Sequence, residues 1–247
     1  PILHKSVHNL IQIEKEIQSN IINFEASVKL PKIIAVSKTH AMINILPLIN
    51  HGHLDFGENK VQEAIDKWQD IKLQFNNLNL HMIGKLQTNK VKQAVSLFDF
   101  IHSVDNLKLA EKIANEQIKQ QKKIKLFIQI NIGDEIQKNG IEISNLENFY
   151  KHCLDNLDLN IVGLMCLPPI DKDVELYFKK MKETHERLGL KELSMGMSND
   201  YLKAIKFNSS YLRIGSKIFG QRNITNCLGL KSSLVIQHTF LEKTSNF

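Results

Sequence analysis

Cysteine is scarce. Cys153, Cys166 and Cys227 are the only three in 247 residues. They form no C-x-x-C pair and no cluster with histidine, which argues against a disulfide framework or a structural zinc and suits a reduced, intracellular protein. The ten histidines show no H-E-x-x-H or related spacing, so no metal site is expected. No apolar run approaches the length of a membrane span, and no basic stretch followed by an apolar core opens the chain. Neither a membrane segment nor a signal peptide is therefore expected, and the expected location is the cytoplasm. Also missing are a linker rich in Pro, Gly or Ser, a low-complexity tract and a strong internal repeat, so one domain is expected. No G-x-G-x-x-G follows any apolar run, which removes the usual mark of a doubly wound dinucleotide fold.

What is present fits a soluble globular protein: 43% hydrophobic and 23% charged residues, in a chain long enough to bury a substantial core. The net charge is +6. Its densest basic cluster, Lys119, Lys122, Lys123 and Lys125, falls at the end of one helical pattern and the start of an apolar run, where cations complement the helix dipole. No aromatic side chains interleave with it to stack bases. Nucleic acid is not an expected partner.

A leading segment from Leu3 to Phe24 spaces apolar residues as a helix does. Strand-like runs then recur near 32–37, 53–57, 80–84, 99–104, 124–132, 160–167, 192–196 and 211–215. Amphipathic helical stretches alternate with them, near 41–50, 58–73, 88–97, 105–120, 144–155, 173–188 and 199–207. Thr88, Asp105 and Ser198 read as helix caps. Eight strand–helix units after one extra N-terminal helix predict a single α/β domain, a (β/α)8 barrel of TIM type, over residues 1–222; an open doubly wound sheet is the alternative. The tail 223–247, with its short apolar run Leu234-Val235-Ile236, fits no unit of the count.

In such a barrel, functional residues gather at the C-terminal ends of the strands, with a phosphate site common after strands seven and eight. The first strand ends on Lys38, in phase with Ile34 and Val36. An ammonium beside apolar neighbours loses hydration, its pKa falls, and the neutral amine attacks carbonyls, which is Schiff-base chemistry. A lysine that simply reaches water from a strand end is the plainer reading. After the seventh strand Ser198 stands at a helix start, where N–H groups favour an anion. After the eighth, Gly215 allows close backbone approach, Ser216 offers an N–H and a hydroxyl, and Arg213 lies two residues deeper, in phase with Gly215. Asn59, after the second strand, can reach a ligand hydroxyl. His81 reads as a core histidine, since nothing near it in sequence completes a triad. Each residue alone has a structural reading; their convergence on one barrel face favours a site.

Several stretches together resemble the pyridoxal phosphate homeostasis family, which is related to the barrel domain of alanine racemase. They are Ala35-Val36-Ser37-Lys38-Thr39, Phe56-Gly57-Glu58-Asn59, His81 to Lys90, Ile101-His102-Ser103-Val104-Asp105, Ile161 to Met165, Leu193 to Asp200 and Arg213 to Gly220. They follow family order up to Arg222; the chain departs at Asn131 to Glu135 and in its longer tail. The resemblance implies pyridoxal 5′-phosphate (PLP) held as a Schiff base on Lys38, its phosphate at Ser198, Gly215 and Ser216, Arg213 near the pyridine nitrogen and Asn59 near the ring. It implies a cytoplasmic monomer that acts in vitamin B6 homeostasis as a carrier, exchanging with PLP-dependent apoenzymes and free amino acids. The alternative is an amino-acid racemase, but eight units fill the chain and are expected to leave no room for the β domain that alanine racemase adds.

Overall fold

Alternating apolar runs and amphipathic stretches fold into a closed barrel of eight parallel strands. The computed structural model describes residues 2–22, 29–136, 138–170 and 172–221. The strands are Lys32–Val36 (β1), Asp55–Glu58 (β2), Asn79–Met82 (β3), Phe100–Val104 (β4), Lys125–Ile130 (β5), Ile161–Cys166 (β6), Glu192–Ser194 (β7) and Tyr211–Ile214 (β8). Each pairs with the next, and β1 closes on β8 with Ile34 opposite Arg213. The helices are Lys5–Ile21 (α1), Met42–His51 (α2), Val61–Gln74 (α3), Val91–Leu97 (α4), Leu107–Gln120 (α5), Ile143–Asp155 (α6), Val174–Arg187 (α7), Tyr201–Ile205 (α8) and Ser216–Phe219 (α9).

The expected barrel, with its extra N-terminal helix, is the fold observed. α1 buries Val7, Leu10, Ile13 and Ile17, one stripe at helical spacing, and Asn9 donates a 2.9 Å hydrogen bond to the carbonyl of Ile218 in α9. Two apolar layers follow from strand periodicity. Outward-facing residues such as Ala35, Phe56, Leu80 and Ile101 join the helices in the main core, whereas Ile34, Phe100, Phe127, Met165 and Tyr211 form a separate cluster inside the barrel.

Local chemistry shifts several boundaries. β1 stops at Val36, and Lys38 and Thr39 form a turn in which Thr39 takes φ 66°. The helix expected over 88–97 begins as a single 3-10 turn, Thr88–Lys90, before α4. Asp105 does not cap α5: Asn106 does, accepting from the Leu109 N–H at 2.9 Å, while Asp105 accepts from the Gly140 N–H. Ser198 is likewise not the cap of α8, which is Asp200, and Asp200 accepts from the Met197 N–H at 2.7 Å. The tail 223–247, Leu234 to Ile236 included, lies outside the described residues.

The seam between β7 and β8 is the lightest. Its ladder registers one pair, Ser194 with Tyr211; the Met195 N–H donates to the Tyr211 carbonyl at 3.2 Å and the Arg213 N–H to the Gly196 carbonyl at 2.9 Å, and two serines add to these bonds. The Leu193 N–H donates to Ser210 Oγ at 2.7 Å, the Ser210 N–H donates to the Leu193 carbonyl at 2.9 Å, and Ser209 Oγ donates to the Met195 carbonyl at 2.6 Å.

Candidate functional site

A cavity of about 580 Å³ opens at the C-terminal end of the strands, and Lys38, Asn59, Ser198, Arg213, Gly215 and Ser216 all line it. The chain thus brings together six residues separated by up to 178 positions.

Lys38 is half-buried, in a turn that α3 grips from outside. Lys67 of α3 donates to the carbonyls of Ser37 (2.7 Å) and His40 (3.2 Å), and Glu63 accepts from the Thr39 N–H. Lys67 also pairs at 2.6 Å with Glu58, which is wholly buried at the end of β2. The same Glu58 oxygen accepts from Ser37 Oγ (2.7 Å) and Trp68 Nε1 (2.9 Å). Burial nonetheless raises the Glu58 carboxyl above the usual range, outweighing the lowering effect of Lys67 and the two neutral donors. His40 lines the cavity beside Lys38, its ring stacked on Phe219 at 4.7 Å.

Gly84 sets the position of Asn59. A Cβ at 84 would come within 2.3 Å of the Asn59 carbonyl oxygen, so only glycine lets the chain after β3 lie against it. The Oδ1 of Asn59 is buried without a hydrogen-bond partner, an arrangement that favours a donor on whatever fills the cavity.

On the opposite wall, Ser198 Oγ accepts from the Lys217 N–H at 3.4 Å and so joins the loop after β7 to the start of α9. Among the described residues, the N–H groups of Ser198, Asn199 and Ser216 have no backbone carbonyl as partner. The Lys217 side chain turns away, its Nζ bonded to Tyr201 Oη (2.7 Å) and Glu16 (3.2 Å), and so pins α9 to α8 and α1.

Arg213 forms part of the wall from inside the barrel and is 4% exposed. Its Nη1 donates to Ser194 Oγ at 2.5 Å and its Nη2 to the Cys166 carbonyl at 2.8 Å. Among the described residues no carboxylate lies within ion-pair range of it. A buried guanidinium lacking a carboxylate favours an acceptor from the cavity. Burial pushes the neighbouring Cys166 thiol up to about 12, which leaves it protonated and unreactive.

An orphaned acceptor, a buried cation and uncommitted N–H groups around one cavity fit an anionic ligand that also carries a hydrogen-bond donor. Sequence spacing points neither to the α3 clamp nor to Ser194: Glu58 stands in a Gly-Glu-Asn turn, and nothing around it in sequence announces Lys67, nine residues on.

Comparison with known proteins gives the chain's family and similar folds. The family model for the N-terminal domain of alanine racemase matches residues 14–223. The pyridoxal phosphate homeostasis protein of Haemophilus influenzae is 36% identical over 226 residues, covering 87% of this chain and 95% of that protein. The structure of PipY from Synechococcus elongatus PCC7942 with PLP bound is 30% identical, with a TM-score of 0.75 over 87% of this chain and 100% of that one. Alanine racemase from Corynebacterium glutamicum, at 15% identity and a TM-score of 0.65 over 92% of this chain and 63% of that one, shares the fold. On the family match across the whole barrel and on relatives of nearly its own extent, the chain belongs to the pyridoxal phosphate homeostasis protein family.

Proposed function

We propose that this protein binds PLP in the cavity at the barrel mouth and acts as a cytoplasmic carrier of the cofactor in vitamin B6 homeostasis rather than as an enzyme. The observation that carries the reading is the convergence of Lys38, Asn59, Arg213 and the Ser198 and Gly215-Ser216 segments on one cavity whose Asn59 acceptor lacks a partner.

The cofactor, when bound, supplies an aldehyde to which amines add. Lys38 would provide the amine that holds the aldehyde, and the α3 clamp keeps its turn in place. The N–H groups of Ser198 and Ser216 and their hydroxyls would receive the phosphate. Asn59 Oδ1 would accept from the ring hydroxyl. Arg213 would face the ring nitrogen as a donor; a guanidinium cannot accept a hydrogen bond, so it would keep that nitrogen unprotonated and the ring a weak electron sink. Proton abstraction is poorly supported besides. None of the four tyrosines lines the cavity: Tyr201 is bound to Glu16, and Tyr211 lies a layer below Arg213.

The reading is tested by borohydride reduction of the yellow protein followed by peptide mapping. The pyridoxyl adduct is expected on the peptide containing Lys38 and is expected to vanish in Lys38→Ala. An adduct on Lys172 or Lys203, the other lysines lining the cavity, would overturn the assignment. Passage of the cofactor to an added PLP-dependent apoenzyme checks the carrier role.

A further inference from the structure

Beneath the cavity, the barrel interior holds a line of polar side chains that no part of the reading above uses. Asp55, at the N-terminal end of β2, lies 2.8 Å from His81 Nε2. His81 Nδ1 lies 2.9 Å from His102 Nε2, and His102 Nδ1 lies 2.9 Å from Ser194 Oγ. Ser194 in turn receives Arg213 Nη1. Both imidazoles are completely buried, stacked on Phe100 and Phe127 at 4.1 and 4.2 Å.

The proton positions along this line follow from its two ends. Arg213 can only donate, so Ser194 Oγ accepts from it and turns its single hydrogen to His102 Nδ1. His102 must then carry its proton on Nε2 and give it to His81 Nδ1. His81 must carry its own on Nε2 and give it to the Asp55 carboxylate. Every donor and acceptor is used once, and all bonds run the same way. The opposite direction would need a protonated Asp55 and would leave the Ser194 hydrogen to find another acceptor while its oxygen took two donors. Burial agrees: it lowers both imidazoles from their ordinary pKa, His102 well below it, and so favours the neutral rings. Burial is the largest influence on Asp55 and would raise it, but the His81 hydrogen bond together with the neighbouring His81, His53 and Lys32 outweighs it, and the carboxyl lies below its ordinary range and stays ionised.

We infer that Ser194, His102, His81 and Asp55 are positioning residues for Arg213, a one-way hydrogen-bonded strut that fixes the guanidinium against the cavity and delivers no proton to it. A line that ends on a group unable to accept is not a proton wire. It holds a donor in place. The inference rests on the proposed PLP site only for what Arg213 then contacts.

The cofactor-free full-length protein provides the first test. Nitrogen-15 NMR of its imidazoles at neutral pH is expected to show His81 and His102 both as neutral Nε2–H tautomers. A proton on either Nδ1 would overturn the direction of the line. The chain has three arginines, Arg187, Arg213 and Arg222, so the Arg213 guanidinium signals are assignable. They are expected to be resolved in the native protein and in His102→Asn, whose amide oxygen can accept from Ser194. They are expected to broaden in His102→Phe, which keeps the ring stacking but offers no acceptor, and in Ser194→Ala, a smaller change should the former fail to fold. If packing alone mattered, the order would reverse and His102→Phe would be the milder variant, which would sink the proposal.

With PLP added, His102→Phe and Ser194→Ala are expected to shift the visible band and to weaken binding by about tenfold, as for a hydrogen bond to a charged group. Unchanged spectra and affinity, despite broadened Arg213 signals, would show that the strut positions nothing for the ligand. Failure of the native protein to take up PLP would refute the proposed function instead and leave the imidazole result standing.

Discussion

Asn59 illustrates how one side chain can weigh against stability and for binding. Its buried, unpartnered Oδ1 carries a desolvation cost of about 1–3 kcal/mol. Asn59→Leu is therefore expected to raise the melting temperature of the cofactor-free protein while weakening PLP binding, two shifts of opposite sign read by calorimetry and by spectral titration. A fall in both would assign Asn59 to the scaffold. On the other wall, Ser216→Ala is expected to weaken binding by about 1–2 kcal/mol, the usual scale for a hydrogen bond to a charged group. Gly215→Val is expected to do more. A Cβ there would meet Val36 Cβ at 3.3 Å and the Val36 carbonyl at 3.4 Å, so a branched side chain pushes on β1 just before the Lys38 turn.

At the scale of the element, the helix after β2 matters more to Lys38 than the strand that leads into it. Lys67 of α3 joins two carbonyls of the turn to the buried Glu58. Lys67→Met removes the cation and leaves that carboxylate uncompensated, a change expected to cost about 3 kcal/mol. The pH dependence has a definite sign. A carboxyl whose folded pKa is raised holds its proton more tightly when folded, so stability grows as pH falls through that pKa. The deficit of Lys67→Met is therefore expected to be larger at pH 8 than at pH 5 in urea denaturation, and Glu58→Gln in the same chain is expected to recover most of it. An equal deficit at both pH values would place the effect in packing.

These elements also mark what could be read from the chain before folding. The strand–helix alternation was legible because its periods, two and 3.6, are written locally in residues such as Ile33 to Val36 and Leu10 to Ile17. The six cavity residues were legible because a barrel sends strand ends to one face. Boundaries failed where a neighbouring side chain competed for the same backbone group, as with Asn106 beside Asp105 and Asp200 beside Ser198. Contacts such as Lys67 with Ser37 and His81 with Asp55 were not legible, since each partner comes from another strand or helix and sequence spacing records no such adjacency. The sequence marks His81 as a satisfied core histidine without naming its partners, which are Asp55 and His102 on the neighbouring strands.

Across the whole molecule, four imidazoles, His53, His81, His102 and His185, are pulled below the ordinary histidine value chiefly by burial. Each binds a proton more readily unfolded than folded. The contribution of these histidines is thus complete above about pH 6.5 and declines as pH falls below it, by up to about 1.4 kcal/mol per pH unit for each. Chemical denaturation from pH 7.5 to pH 5 is expected to show this loss, and His102→Phe to make it shallower. Incubation of the loaded protein with L-alanine in deuterated water is expected to give α-proton exchange far below the ordinary enzyme range of about 1–10³ s⁻¹; exchange within that range would make the protein a catalyst. The thin β7–β8 seam has a consequence of another kind. Both walls of the proposed phosphate cradle, Ser198 and Gly215-Ser216, follow those two strands, so an anion there would bridge the barrel joint whose ladder registers a single pair. Occupancy at the mouth then becomes a latch on the cylinder. Amide deuterium uptake in β7 and β8 should outpace that in β5 and β6 without the cofactor and slow selectively when it binds, so that the protein reports its load through the tightness of a single seam.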